Sequence, residues 1–144
     1  MKTLVLVAML LATLGASAEC VPITVANKRV VVSVTLDGLG TYPFLLDTGA
    51  MVTILDKSIA KGLPISGDVR LAGVGVSERV SVGRVRAITL GGFTGHDIAV
   101  LVYDLRKSAF AEPIPIAGVL GDDVLLAAGG FRVDVQAGCL YVGR

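Results

Sequence analysis

Asp47 is the side chain of this sequence best placed for chemistry. Phe44-Leu45-Leu46 is an apolar run, Asp47-Thr48-Gly49-Ala50 follows at once, and the chain is apolar again from Val52 to Leu55. This reads as a strand that delivers one carboxylate into a tight, glycine-closed loop. Two carboxylates close enough to share a proton can hydrolyse an amide: one takes a proton from a water while the other protonates the carbonyl oxygen. Like charges at that separation do not both ionise, so such a pair titrates as a unit. The chain carries only half of it. Asp37, Asp56, Asp68, Asp97, Asp104, Asp122, Asp123 and Asp134 are all followed by residues other than Thr-Gly or Ser-Gly. Two-fold association that sets Asp47 against its own copy would complete the pair.

The remaining polar residues point to no other chemistry. His96, the sole histidine, stands between Gly95 and Asp97 and reads as a turn residue. No His, Cys or acidic cluster has metal-ligand spacing, so no metal site is expected. There is no Gly-x-Ser-x-Gly elbow and no Gly-x-Gly-x-x-Gly loop, which disfavours a serine hydrolase or a dinucleotide enzyme. Asp122 and Asp123 open a short helical pattern, where carboxylates suit the positive dipole end, and capping is the expected role. Asp134 lies inside an apolar run and reads as structural. With 13 Lys and Arg against 12 Asp and Glu, scattered along the chain and with few aromatics, nothing recruits nucleic acid.

The first residues combine Lys2, an apolar run from Leu4 to Leu14, and Ala16-Ser17-Ala18 before Glu19. That is the pattern of a secretory signal peptide, residues 1–18, with cleavage before Glu19. The run is shorter than the roughly 20 residues that span a bilayer, so no membrane span is expected after cleavage. The protein is therefore expected to be exported, to the periplasm or the medium, with residues 19–144 forming one domain. Cys20 and Cys139 are the only cysteines, and export permits a disulfide between them. Two unpaired thiols, or a bridge between protomers, are the alternatives.

Several elements must position Asp47. Val30 to Leu36 alternates, Asp37-Gly38-Leu39-Gly40 turns, and Tyr42 to Leu46 returns, predicting a hairpin that ends at Asp47. Val52 to Leu55 reads as the next strand, and Asp56 to Gly62 as a short helix capped by Asp56 and stopped by Gly62 and Pro64. Val69 to Val82, with Gly73 and Gly75 at its centre, predicts a mobile hairpin. Arg84 to Leu90 and Ile98 to Tyr103 flank a Gly91-Gly92 turn, and Asp104 to Ala111 reads as a loop or helical turn. Ile116 to Gly121 predicts a buried strand, Asp122 to Ala128 a short helix, and Phe131 to Val135 with Cys139 to Val142 a closing hairpin.

This order of strand, Asp-Thr-Gly-Ala, glycine-bearing hairpin, Val119-Leu120-Gly121 and short helix resembles the retropepsin-like aspartic proteases, the single-lobed relatives of pepsin. The resemblance runs from Val30 to Val142, and exported bacterial members are the nearest comparison. It implies an all-β fold: a closed, single-lobed β-barrel with one or two short helices and a β-hairpin flap. It implies a homodimeric aspartic endopeptidase acting on peptide or protein substrates without a cofactor. Asp47 would be the catalytic carboxylate and Thr48, Gly49 and Ala50 its loop. Gly73, Val74, Gly75 and Val76 would form the flap tip, and Val119, Leu120 and Gly121 would support the loop. Closure over an extended peptide needs a hairpin that moves and lends backbone groups to the substrate, which glycines allow. The Thr48 hydroxyl can bond across a two-fold axis, and Gly49 lets a backbone N–H approach the carboxylate. Ala50 lacks the hydroxyl that many pepsin-like enzymes place there, which implies activity at less acidic pH.

Two positions depart from the pattern. Retroviral proteases carry a basic residue after the second apolar-apolar-Gly motif, where this chain has Asp122, and Val74 and Val76 replace a glycine-richer flap tip. The departures leave room for a non-catalytic peptide-binding or scaffold protein of the cell envelope, with the flap as a strand-addition groove. A protomer that pairs with a different single-lobed chain is a third possibility.

Overall fold

The computed structural model describes residues 18–73, 76–108 and 115–143. The expected signal segment lies almost wholly outside them. Ten strands and one α-helix are formed among the described residues. In chain order they are β1 (Val21–Ala26), β2 (Arg29–Leu36), β3 (Gly40–Leu46), β4 (Ile54–Asp56), β5 (Ile65–Gly73), β6 (Val76–Leu90), β7 (Phe93–Tyr103), β8 (Gly118–Leu120), α1 (Asp122–Ala127), β9 (Phe131–Asp134) and β10 (Cys139–Val142). No described helix is long and apolar enough to cross a membrane.

The strands follow the order β5-β6-β7-β4-β8-β3-β2-β1-β10-β9, and an extra β6–β2 pairing through Thr35 and Leu36 closes the central six into a ring. Alternation explains the inward faces. In β2, Val32, Val34 and Leu36 are buried while Ser33 and Thr35 face water, and the Thr35 hydroxyl bonds that of Thr41 across the hairpin at 2.8 Å. Val34, Leu36, Phe44, Val85, Ile88, Leu90, Leu120, Leu125 and Leu140 meet in the main core, so α1 packs Leu125 against the same cluster as the strands. A second cluster joins Leu45, Ile54, Val80, Tyr103, Leu105 and Val119 beneath the other face.

Several segments differ from the sequence expectation: β6 runs unbroken from Val76 to Leu90 across the boundary between the two hairpins expected there, and β7 starts at Phe93 rather than Ile98. β1 pairs with β2 on one side and β10 on the other, a strand not anticipated. The link to β2 is a two-residue turn in which Asn27 and Lys28 both have positive φ, 50° and 61°. That geometry suits Asn and is tolerated by Lys. Residues 57–64 form turns rather than the expected helix. Asp56 is spent elsewhere: its carboxylate accepts from the Ser58 amide and hydroxyl and from the Leu105 amide, so it closes a local turn and clasps a neighbouring loop. Too few residues remain before Gly62 to nucleate a helix.

Candidate active site

The geometry around Asp47 follows from where three short strands end. β8 lies between β3 and β4, parallel to the first and antiparallel to the second. The segment from Asp47 to Thr53 leaves β3 and enters β4, so it must arch over the end of β8. Leu120 and Gly121 lie under that arch. The Asp47 amide donates to the Leu120 carbonyl at 3.1 Å, and the Asp122 amide donates to the Ala50 carbonyl at 2.8 Å. A Cβ on Gly121 would lie 2.8 Å from both the Ala50 carbonyl oxygen and the Val52 carbonyl carbon, so only glycine fits. Gly118 is constrained from the other direction, because the Phe44 ring lies across the space its Cβ would occupy.

Within the arch, the Gly49 amide donates to Asp47 Oδ1 at 2.9 Å and the Ala50 amide to the Asp47 carbonyl at 3.1 Å. These two bonds curl the loop around its own carboxylate. Asp47 is half-buried, whereas Thr48 and Gly49 are exposed. Met51 is 83% exposed and Val52 38% exposed, two large apolar side chains in water beside the carboxylate.

Thr53 is a site residue that the sequence reading passed over. It is fully buried, its amide donates to Asp123 Oδ2 at 3.1 Å and its hydroxyl donates to Asp123 Oδ1 at 2.7 Å. The same hydroxyl accepts from the Gly121 amide at 3.1 Å. The expected capping role of the two carboxylates is thereby corrected in part. The helix N-cap is Gly121, which has no side chain, and Asp123 takes the Val124 amide at 2.9 Å while its main bonds run across to Thr53. Asp122 remains in the first turn, where its charge suits the helix dipole. The signal available in the sequence was a lone hydroxyl between apolar neighbours, Val52 and Ile54.

The hairpin expected to cover the site is formed by β5 and β6, paired from Ile65 to the Gly73↔Val76 step. Val74 and Gly75 lie outside the described residues. Val119 and Leu120 are fully buried in β8, and Gly121 is buried at its end. His96 sits within β7, opposite Ala87, rather than in a turn. Asp134 accepts the Ala137 amide, which closes the β9–β10 turn. Among the described residues no group of three His, Cys, Asp or Glu could hold a metal ion.

A crevice of about 410 Å³ opens elsewhere, lined by Asp56, Lys57, Ser58, Lys61 and Arg106. β4 and β7 run parallel, so both chains leave the sheet at one end and diverge. Asp104 binds Lys57 at 2.8 Å and takes two bonds from Arg106 at 2.9 Å, which ties the two arms together. The Arg106 and Lys57 bonds hold the Asp104 carboxyl well below the usual carboxylate range. Burial pushes the Asp56 carboxyl up, but the bonds from Ser58 and Leu105 outweigh it and leave a net lowering. Lys57 and Arg106 are paired with Asp104, and Asp56 is held by Ser58 and Leu105, so the crevice reads as a brace.

Cys20 and Cys139 are joined by a disulfide with a Cα–Cα distance of 5.2 Å, across 119 residues of sequence. The bond lies beside the Pro22↔Cys139 pairing, so it staples β1 to β10 within one chain.

A single lobe built this way is the retropepsin-like fold. The structure is similar to the crystal structure of a retropepsin-like aspartic protease from Rickettsia conorii, with a TM-score of 0.59, 17% identity, and 88% of this chain and 92% of that chain covered. It is also similar to the EIAV protease complexed with the inhibitor HBY-793, with a TM-score of 0.56, 25% identity, and 77% of this chain and 100% of that chain covered. No curated protein gives a significant match. The family model described as aspartyl protease matches residues 32–124, and the chain belongs to that family. The match takes in both the Asp47 loop and the segment from Val119 to Val124 that holds it.

Proposed function

We propose that the chain is an exported aspartic endopeptidase, active as a homodimer, with Asp47 of each protomer forming the catalytic pair. The observation that carries the proposal is the single Asp-Thr-Gly loop, braced from below and open to water, in a chain of the aspartyl protease family. One such loop supplies one carboxylate, and the reaction needs two that share a proton. In the dimer one Asp47 takes a proton from a water placed between the pair, and the water attacks the scissile carbonyl carbon. The other Asp47 gives its proton to the carbonyl oxygen, and the tetrahedral species collapses with proton transfer to the leaving amine.

Exposure on the loop supports the pairing. Thr48, Met51 and Val52 are solvent-facing in the isolated protomer, and a second copy across a two-fold axis would cover them. The Thr48 hydroxyl would bond its partner loop, and Gly49 keeps the carboxylate turned by its amide. The β5–β6 hairpin would close over an extended peptide, with Gly73 to Val76 at its tip. Export is supported by the disulfide, which persists in oxidising compartments, and by the signal-like segment 1–18. The remaining 19–144 would be the working domain.

The test is digestion of a mixed peptide library by the protein lacking residues 1–18, across acidic to neutral pH, beside Asp47→Asn. Cleavage by the wild type alone, blocked by an active-site-directed aspartic protease inhibitor, is the expected result. Equal cleavage by both forms would remove Asp47 from the chemistry, and no cleavage by either folded dimer would favour the peptide-binding reading.

A further inference from the structure

We propose that Asp123 is a positioning residue that sets the Asp47 loop through Thr53. The proposal rests on the reading of Asp47 as the catalytic carboxylate. Five hydrogen bonds join the arch to the segment beneath it: Asp47 amide to Leu120 carbonyl, Asp122 amide to Ala50 carbonyl, Gly121 amide to Thr53 hydroxyl, and the two from Thr53 to Asp123. The first two are backbone bonds that a loop keeps only while its two ends stay in register. The other three pass through a single side-chain pair, Thr53 and Asp123.

Direction along this chain of contacts matters. Thr53 is the last residue before β4, so its backbone fixes where the arch lands. Both Asp123 oxygens hold that residue, one at its amide and one at its hydroxyl, which fixes its backbone and its rotamer together. The hydroxyl has then donated its only proton, and one of its lone pairs accepts the Gly121 amide. Gly121 in turn lies against Ala50 and Val52, with no room for a Cβ. Displacing the Asp123 carboxylate therefore moves Thr53, then Gly121, then the Asp122 amide and the Ala50 carbonyl it holds, and Ala50 is the residue whose own amide closes the Asp47 turn. Asp123 bonds Thr53 and the Val124 amide rather than Asp47, so its effect is on the placement of the carboxylate pair, where a shift of about 1 Å can cost about a hundred-fold in rate.

The contact has two halves that substitution can separate. Asp123→Asn keeps one acceptor oxygen for the Thr53 hydroxyl but presents an amide N–H₂ to the Thr53 amide. Asp123→Ala removes both acceptors. Thr53→Ser keeps the hydroxyl, and Thr53→Val removes it with little change of shape.

Two readouts on the purified, disulfide-bonded protein test the proposal. Steady-state cleavage should show kcat lowered about ten- to a hundred-fold in Asp123→Ala and Thr53→Val with KM within about two-fold, and partial recovery in Asp123→Asn and Thr53→Ser. Hydrogen exchange should accelerate at least about ten-fold at the Asp47 and Asp122 amides in Asp123→Ala, with the core amides of Val34 and Leu140 unchanged. A lowered melting temperature with unchanged kcat per folded site and unchanged exchange at Asp47 would overturn the proposal. If the wild type itself cuts nothing, the reading of Asp47 fails, and the exchange result still decides whether Asp123 holds the loop. Asp123→Asn, which keeps the shape of the side chain but loses the acceptor for the Thr53 amide, keeps the test open through the same two readouts should Asp123→Ala not fold.

Discussion

At the scale of single residues, the site depends on atoms that are missing as much as on those present. Gly121→Ala would push a methyl into backbone of the Ala50 to Thr53 arch, which cannot move without breaking its bonds. We expect a loss of about 1–3 kcal/mol in urea denaturation, and a variant within about 0.5 kcal/mol of wild type would contradict the close approach. Thr53→Val would take the hydroxyl donor from Asp123 Oδ1 and leave the Gly121 amide without its acceptor, with an expected loss of about 1–3 kcal/mol by the same measurement. Thr53→Ser should retain most of the stability. Asp47 and its glycine-closed loop were legible in the sequence because the turn chemistry is local, and Gly121 because it ends an apolar pair. Thr53 and the true bonds of Asp123 were not legible, since the two residues meet across 70 positions and nothing in either neighbourhood announces the other.

At the scale of elements, alternation made β2 readable, since it has one face toward the core, whereas β6 runs unbroken from Val76 to Leu90 where the sequence suggested two strands. β1 escaped for a local reason: Pro22 and a turn without glycine carry no strand signal, and the strand exists because β2 and β10 both pair with it. The misread helix after Asp56 has a tertiary cause, the distant Leu105 amide that claims the would-be cap. The brace it belongs to gives a pH prediction. Asp56 and Asp104 both have carboxyls lowered on folding, so the unfolded chain binds more protons over the acid range. Their stabilisation is complete above the unfolded value of about 4 and is lost as pH falls through the lower folded values. The urea midpoint of the wild type should therefore exceed that of Asp104→Asn at pH 7, with the gap closing as pH drops below about 4. A gap that widens on acidification would contradict the assignment of the Lys57 and Arg106 contacts.

At the scale of the whole molecule, the two ends of the described chain are tied by Cys20 and Cys139 and the one Asp-Thr-Gly loop faces outward. In the chain-entropy model a closed loop of on the order of 100 residues contributes about 4–5 kcal/mol. The double Cys20→Ser, Cys139→Ser variant should lose most of that in denaturation experiments, and equal midpoints with and without the bridge would show the strands hold themselves. The cysteine positions were legible, but their pairing within one chain needed the β1–β10 register. The central claim is that catalysis requires Asp47 from two copies. It is tested most directly by mixing wild type, after subunit exchange, with about a nine-fold molar excess of Asp47→Asn and measuring peptide cleavage per wild-type protomer. If random two-fold pairing makes nearly every wild-type protomer part of an inactive mixed dimer, activity should fall to roughly one tenth of that of wild type alone. Activity that stays at the wild-type level, with exchange demonstrated, would mean that one Asp47 suffices and would contradict the account.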